Sequence, residues 1–283
     1  MRSLTELTGA AALLVAMCTC AASEPDALRV CADPNSMPFS NKDGAGFENK
    51  LAELVARKLG RPLSYTWWAQ RRGFIRHTLK AGSCDLVIGV PKGYDPVATT
   101  QPYYRSTYVF VSRADHHLDL SSIEDPRLHH LKIGVHLIGD DGTNTPPAHA
   151  LGAQGIVANV VGYMIYGDYR QPDPPMALIE AVEKGDIDVA AVWGPLAGYA
   201  AQHARVPLQV TPIEAGDRFA PLRFQFSIAM GVRHGDKALQ DKLDAVISDD
   251  RPQIEALLKD YGVPLVAMPA KAASRDKESR DEQ

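Results

Sequence analysis

Twice in this chain a stretch of helical periodicity stops at a glycine, and an acidic residue then opens a run of apolar residues. The first instance is Leu79-Lys80-Ala81-Gly82-Ser83-Cys84-Asp85, leading into Leu86–Val90. The second is Glu183-Lys184-Gly185-Asp186-Ile187-Asp188, leading into Val189–Trp193. A helix closed by glycine and followed by a strand apolar on both faces is the pattern of a parallel βαβ unit. Each instance has matching elements upstream. In the first half these are strands at Leu28–Ala32 and Leu63–Trp67, a helix carrying Phe47, Leu51, Leu54, Val55 and Leu59 that ends at Gly60, and a helix over Gly73–Ala81. In the second half they are strands at Lys132–His136 and Val157–Tyr163, with helices at Pro146–Gln154 and Pro175–Lys184. A repeat of roughly 100 residues is far too long for a solenoid and implies two similar α/β lobes.

Tyr108–Arg113 and Leu208–Pro212 flank the second half as two crossing strands would. Phe226–Val232 and helices around Leu239–Ile247 and Ile254–Tyr261 then return to the first lobe. The fold class is therefore α/β: two lobes joined by a two-strand hinge, with a cleft between them at the carboxyl ends of the parallel strands. Residues 25–113 and 222–265 make a discontinuous lobe one, 114–212 make lobe two, and 213–221 form the return crossover. The tail 270–283 has no apolar periodicity and reads as disordered.

Charge and targeting narrow the function. Thirty Lys and Arg against 34 Asp and Glu give a net charge of −4, with no Lys/Arg-rich run of the kind that binds nucleic acid. Arg2, the short apolar core Ala10–Met17 and the small residues Cys20-Ala21-Ala22-Ser23 read as a cleaved signal peptide over residues 1–22. The core is too short to span a bilayer, and no later stretch is long enough. The mature chain is expected in the periplasm, where its two cysteines, Cys31 and Cys84, are candidates for a disulfide. Parallel neighbouring strands in simple register would hold them too far apart to bridge, so two separately buried thiols stand as the alternative.

Enzyme signatures are absent: there is no G-x-S-x-G, no H-E-x-x-H and no P-loop. Instead the strand-end loops are rich in aromatic and polar side chains. They place Phe39 and Asn41, then Trp67, Trp68, Gln70, Arg71 and Arg72, then Tyr94, Tyr103, Tyr104 and Arg105 toward the cleft. From lobe two come Asp140, Asp141, Thr143, Asn144, Tyr166 and Trp193. Such a set suits a small-ligand cleft or a docking surface, with core packing as the plain alternative for any one ring. No metal site and no catalytic residue is read among them.

These residues carry a resemblance. The order LRVCADPNSMPFSN, GFENKLAELVARKLG, CDLVIGVP and TTQPYYRSTYVFVSR resembles the type II periplasmic solute-binding proteins. Three longer motifs, TWWAQRRGFIRHTLKAGSCDLVIGVPKGYD, IGVHLIGDDGTNTPPAHAL and DVAAVWGPLAGY, resemble a narrower group. These are the quinoprotein-dehydrogenase-associated solute-binding-like proteins, including the J proteins of methanol dehydrogenase gene clusters. The similarity covers about residues 28–265.

Where amino-acid receptors resemble one another in an arginine for the ligand carboxylate, this chain has Gly93-Tyr94-Asp95-Pro96-Val97-Ala98. Where they place an aspartate for the ammonium, it has Trp193-Gly194-Pro195. The resemblance implies a non-enzymatic accessory partner of a pyrroloquinoline-quinone (PQQ) dependent methanol or alcohol dehydrogenase. That role is maturation or activation by direct contact, with the c-type cytochrome as a second partner. No cofactor is expected to bind tightly, PQQ being reached only through the partner. A receptor delivering a small neutral or aromatic solute to an importer is the competing reading. An enzyme on this scaffold would need a positioned acid or base, and Asp95, Asp140, Asp141 and Asp168 have no partner legible in sequence.

Overall fold

The computed structural model describes residues 26–138, 144–165 and 173–268. Lobe one opens with strand β1 (Leu28–Ala32) and a two-residue hairpin, β2 (Asn35–Ser36) with β3 (Ser40–Asn41). Helix α1 (Phe47–Leu59), strand β4 (Leu63–Trp67), the single turn α2 (Phe74–His77) and strand β5 (Leu86–Pro91) follow. Apolar periodicity makes α1, and Gly60 in the left-handed conformation ends it, its N–H bonding the carbonyls of Ala56 and Arg57.

The short β6 (Ala98–Thr99) leads to β7 (Tyr104–Arg113), the first crossing strand. Lobe two contains β8 (Ile133–Leu137), α3 (Pro146–Ala153), β9 (Val160–Met164), α4 (Ala177–Lys184), β10 (Val189–Trp193), α5 (Gly194–His203) and β11 (Leu208–Pro212). The chain returns through β12 (Gln225–Val232) and closes with α6 (Lys237–Asp249) and α7 (Arg251–Asp260).

One continuous sheet runs β4-β1-β5-β12-β7-β10-β8-β9, with β6 added on β12 and β11 on β7. The trios β4-β1-β5 and β10-β8-β9 are parallel, as the repeated pattern requires, whereas β12 and β7 run antiparallel to their neighbours. Strand β7 is shared: Tyr104–Thr107 pair with β12, and Tyr108–Arg113 pair with β10 and β11.

Lobe one buries a core under α1, α6 and α7 and a smaller one of Cys31, Phe74, Ile75, Leu79, Cys84, Val87, Val90 and Val97 on the opposite side. Lobe two likewise has two apolar clusters, one containing α3 residues and one containing α4 and α5 residues. No helix among the described residues is long and apolar enough to cross a membrane.

Two expectations need correction. The helix expected over Gly73–Ala81 forms only Phe74–His77, because the Thr78 hydroxyl donates to the Phe74 carbonyl and the backbone leaves helical angles there. Helix α5 was not expected: it has two glycines and no one-sided apolar pattern, since Leu196, Ala197 and Ala200 are buried alongside Gly194 and Pro195.

The cysteine alternative is resolved. Cys31 and Cys84 are joined as a disulfide with their alpha carbons 5.6 Å apart. The strands do run parallel, Cys31 facing Val87. Cys84 nevertheless reaches Cys31 because the backbone bends at Asp85 instead of extending the strand. That bend is fixed by charge. The Asp85 carboxylate takes hydrogen bonds from Arg29 at 2.6 Å and Arg233 at 3.0 Å, and Arg61 stands 3.8 Å away. Burial pushes this carboxyl upward, but the Arg29 and Arg233 hydrogen bonds together hold it below its ordinary range.

Candidate functional site

The parallel strands of both lobes point their carboxyl ends at one cleft, which encloses a cavity of about 330 Å³. Lobe one lines it with Asp33 after β1, Phe39, Gln70 after β4, and Gly89 and Pro91 from β5. Lobe two supplies His136 and Ile138 from the end of β8, Ile165 after β9, Pro175, Trp193 at the end of β10 and Leu196. The crossing strands add Tyr104, Tyr108 and Phe226. Tyr108, Trp193 and Phe226 form a wall of edge-to-face rings, with centroids 5.3, 5.9 and 6.4 Å apart. Phe39 and Tyr104 are bridged by the buried Phe47 ring in the same geometry.

A carboxyl stands at the floor of the cleft. Glu48 lies in the first turn of α1 and presses against Gly89, where a Cβ would sit 2.0 Å from its Oε1. Gly89 adopts φ +85° at a bulge, the register of β5 against β12 jumping from Val90 to Ile88. The bulge and the missing side chain together make room for the carboxyl. Burial, with the Asp33 carboxylate a lesser contributor, pushes Glu48 up to about 8. Asp33 is itself fixed by the N–H groups of Asn35 at 2.8 Å and Gln70 at 2.6 Å. His136 is buried, with Nε2 3.0 Å from the Pro175 carbonyl, and burial lowers it to about 4, so the ring is neutral near pH 7. Burial also raises the Tyr104 and Tyr108 hydroxyls. At neutral pH the cleft therefore presents aromatic faces, hydroxyls, the neutral His136 ring, the protonated Glu48 carboxyl and the Asp33 carboxylate. Among the described residues it has neither lysine nor arginine in its lining.

A clasp crosses the mouth. The Asp173 N–H donates to Asn35 Oδ1 at 3.0 Å, and its carboxylate accepts from the Met37 N–H.

Glu48 yields a prediction about pH. The unfolded chain releases this proton near 4.5, whereas the folded chain holds it to about 8, so stability falls as pH rises through that interval. Glu48→Gln should leave stability nearly unchanged at pH 4.5 and raise it by about 2 kcal/mol at pH 8, solvent screening of the half-buried carboxyl keeping the gain modest. Denaturant unfolding of both proteins at the two pH values measures this, and equal gains at both would refute the assignment.

The expected residues divide among several places. Phe39, Gln70, Tyr104 and Trp193 line the cleft. Arg71, Arg72 and Tyr94 line a neighbouring groove of about 460 Å³ that shares Gln70, Gly89, Pro91 and Ile138 with the cleft. Turns at Arg71 and Phe74 carry the chain away from the mouth, the Phe74 N–H bonding the Arg71 carbonyl. Trp68 is exposed and stacked on His77. Trp67 stacks on Tyr65, and Tyr103 is buried in the lobe-one core with its hydroxyl unpartnered.

Asn41 organises the turn before α1 by accepting the Ala45 N–H. Arg105 donates to the Ala267 carbonyl, away from the cleft. The Asn144 N–H donates to His149 Nε2. Asp140, Asp141, Thr143 and Tyr166 lie outside the described residues. Sequence reasoning missed Glu48, Gly89, Tyr108, His136 and Phe226, of which the lone glycine inside an apolar strand was the one readable signal.

A model of the bacterial extracellular solute-binding proteins, family 3, matches residues 28–262. The chain belongs to that family. Among curated relatives, Protein MoxJ of Methylorubrum extorquens AM1 is 34% identical over 93% of this chain and 95% of its own length. Among solved structures, the periplasmic binding protein XoxJ from Methylobacterium extorquens AM1 is 36% identical, covers 85% of this chain and 100% of its own, and has a TM-score of 0.70. MxaJ from Methlophaga aminisulfidivorans MPT is 30% identical, covers 84% and 100%, and has a TM-score of 0.71. The two-lobe architecture read from the repeated strand pattern is thus the type II periplasmic binding fold. The long motifs of the narrower resemblance lie within the matched span.

Proposed function

We propose that this family member is exported to the periplasm through a cleaved signal peptide and serves there as a non-enzymatic accessory protein of a PQQ-dependent alcohol dehydrogenase system, methanol being the substrate class. It acts by direct contact during maturation or activation of the dehydrogenase, and it meets PQQ only through that partner. Its similarity to MoxJ, XoxJ and MxaJ supports the assignment to such a system. The observation that carries the reading is Trp193. At this strand end amino-acid receptors resemble one another in an aspartate, whereas here the indole packs against Tyr108 and Phe226. Among the described residues the lining also holds no arginine or lysine to meet a ligand carboxylate, so ordinary amino-acid receptor chemistry is disfavoured.

The test is a pull-down of the tagged protein from periplasm of methanol-grown cells, with captured proteins identified by mass spectrometry. Recovery of a quinoprotein dehydrogenase or its cytochrome is expected, with about tenfold less recovered by Trp68→Ala. Recovery of the protein alone, carrying a small molecule, would instead make it the solute receptor of an importer.

A further inference from the structure

The groove beside the cleft has a chemistry that the cleft lacks. Its floor is apolar, made by Phe74, Ile75, Val87 and Val90. Its rim carries Arg71, Arg72, Arg76 and Lys80, all exposed. Among the described residues, Arg71, Arg76 and Lys80 have no carboxylate within ion-pair distance. In contrast, Arg113, Arg127 and Lys184 each hold one at 2.6–2.9 Å. Like charges gathered on one rim repel, and this in a chain of net charge −4.

Exposed apolar side chains concentrate at the same place. Trp68 at 39%, Tyr94 at 40% and Ile138 at 37% are three of the six large hydrophobic residues exposed among the described ones. Tyr94 and Ile138 line the groove, and Trp68 stacks on His77, the residue that follows Arg76. Aromatic anchors, guanidinium groups and an apolar floor are the composition of an interface core.

We propose that this lobe-one groove docks an acidic segment of a protein partner, seating an apolar side chain on the floor between carboxylates held by Arg71, Arg76 and Lys80. Charge complementarity selects this occupant: three cations with no carboxylate within ion-pair reach among the described residues are matched by counter-charge from a partner, and guanidinium groups match carboxylates two bonds at a time. The inference rests on the accessory reading only in expecting a protein partner, and it does not depend on which protein that is.

The test places a photoreactive benzoylphenylalanine at position 94 of the full-length protein in growing cells, irradiates them, and sequences the crosslinked peptides. Crosslinks to a segment rich in Asp and Glu are expected, together with at least about a tenfold loss of yield for the Arg71→Glu/Arg76→Glu variant. Lys184→Glu, on lobe two, should leave the yield unchanged. Raising salt before irradiation of a periplasmic extract should weaken the crosslink. Crosslinks only to a second copy of this chain, to a segment without acidic residues, or to nothing would overturn the proposal, as would indifference to charge reversal. Crosslinks to an acidic segment of some protein other than a quinoprotein dehydrogenase or its cytochrome would uphold the groove while speaking against the accessory function.

Discussion

Replacing Cys31 and Cys84 together with alanine should destabilise the protein by about 4 kcal/mol, lowering its unfolding midpoint by about 10 °C. The disulfide closes a separation of 53 residues, and a loop of that length carries a large entropy of closure in the unfolded chain. Both cysteines are buried in the small cluster with Phe74, Ile75 and Leu79, so their loss also opens space beneath the groove. The consequence should be local as well as global. The segment from β4 to β5 holds Arg71, Arg72 and Arg76, and it is tied down by this bond and by the Thr66 hydroxyl donating to the Ser83 carbonyl at 2.7 Å. Hydrogen exchange should accelerate first across residues 68–84 in the double variant. Unchanged stability, or loosening spread evenly over both lobes, would contradict this account.

Gly198→Ala should be nearly as damaging, at about 3 kcal/mol, although it adds a single methyl group. A Cβ at position 198 would lie 1.8 Å from the Gly262 carbonyl oxygen, backbone that has no rotamer to give way. Gly262 itself sits at φ +67°, 2.7 Å from the Gly198 carbonyl by the same measure, so the two glycines form one close approach. Through it α5 of lobe two rests on the turn after α7 of lobe one. The Val266 N–H and the Ser106 hydroxyl bind the following segment to β7, at 2.9 and 2.7 Å. The substitution should lift α5, on whose first turn the cleft residue Leu196 lies, and expose the segment around Val266 to proteolysis. Denaturant titration and timed trypsin digestion measure the two effects, and wild-type behaviour in both would show that the contact is not a constraint.

These two sites differ in how far the sequence announced them. The disulfide was visible as one of two options, because a strand register can be guessed but a bend at Asp85 depends on Arg29, Arg61 and Arg233 converging from distant parts of the chain. The Gly198–Gly262 contact was invisible, since nothing local distinguishes a glycine that meets another backbone from one in open space such as Gly152. Periodicity and glycine stops located α1, α4 and the parallel strands to within a few residues, for the same physical reason that those elements form: a one-sided apolar face and a defined end.

The cleft was legible in part. Phe39 follows strand β1 and Trp193 ends β10, and strand ends of a doubly wound sheet face the ligand crevice, while Tyr104 opens the crossing strand β7. Glu48 was not, because an acidic residue in the first turn of a helix is ordinary in sequence. Its distinction is tertiary, arising from the bulge at Gly89. Arg71 and Arg72 were read as cleft residues from their order alone, and two successive turns place them one groove outward.

The central claim is that this protein works by touching a quinoprotein dehydrogenase. Sedimentation velocity of the purified protein mixed with the PQQ-dependent alcohol dehydrogenase of the same organism tests it without intermediaries. A complex should form at micromolar concentration, dissociate as salt is raised, and be weakened about tenfold or more by Arg71→Glu/Arg76→Glu. Two species sedimenting independently at about 100 μM, a concentration at which even a weak complex would be populated, would contradict it.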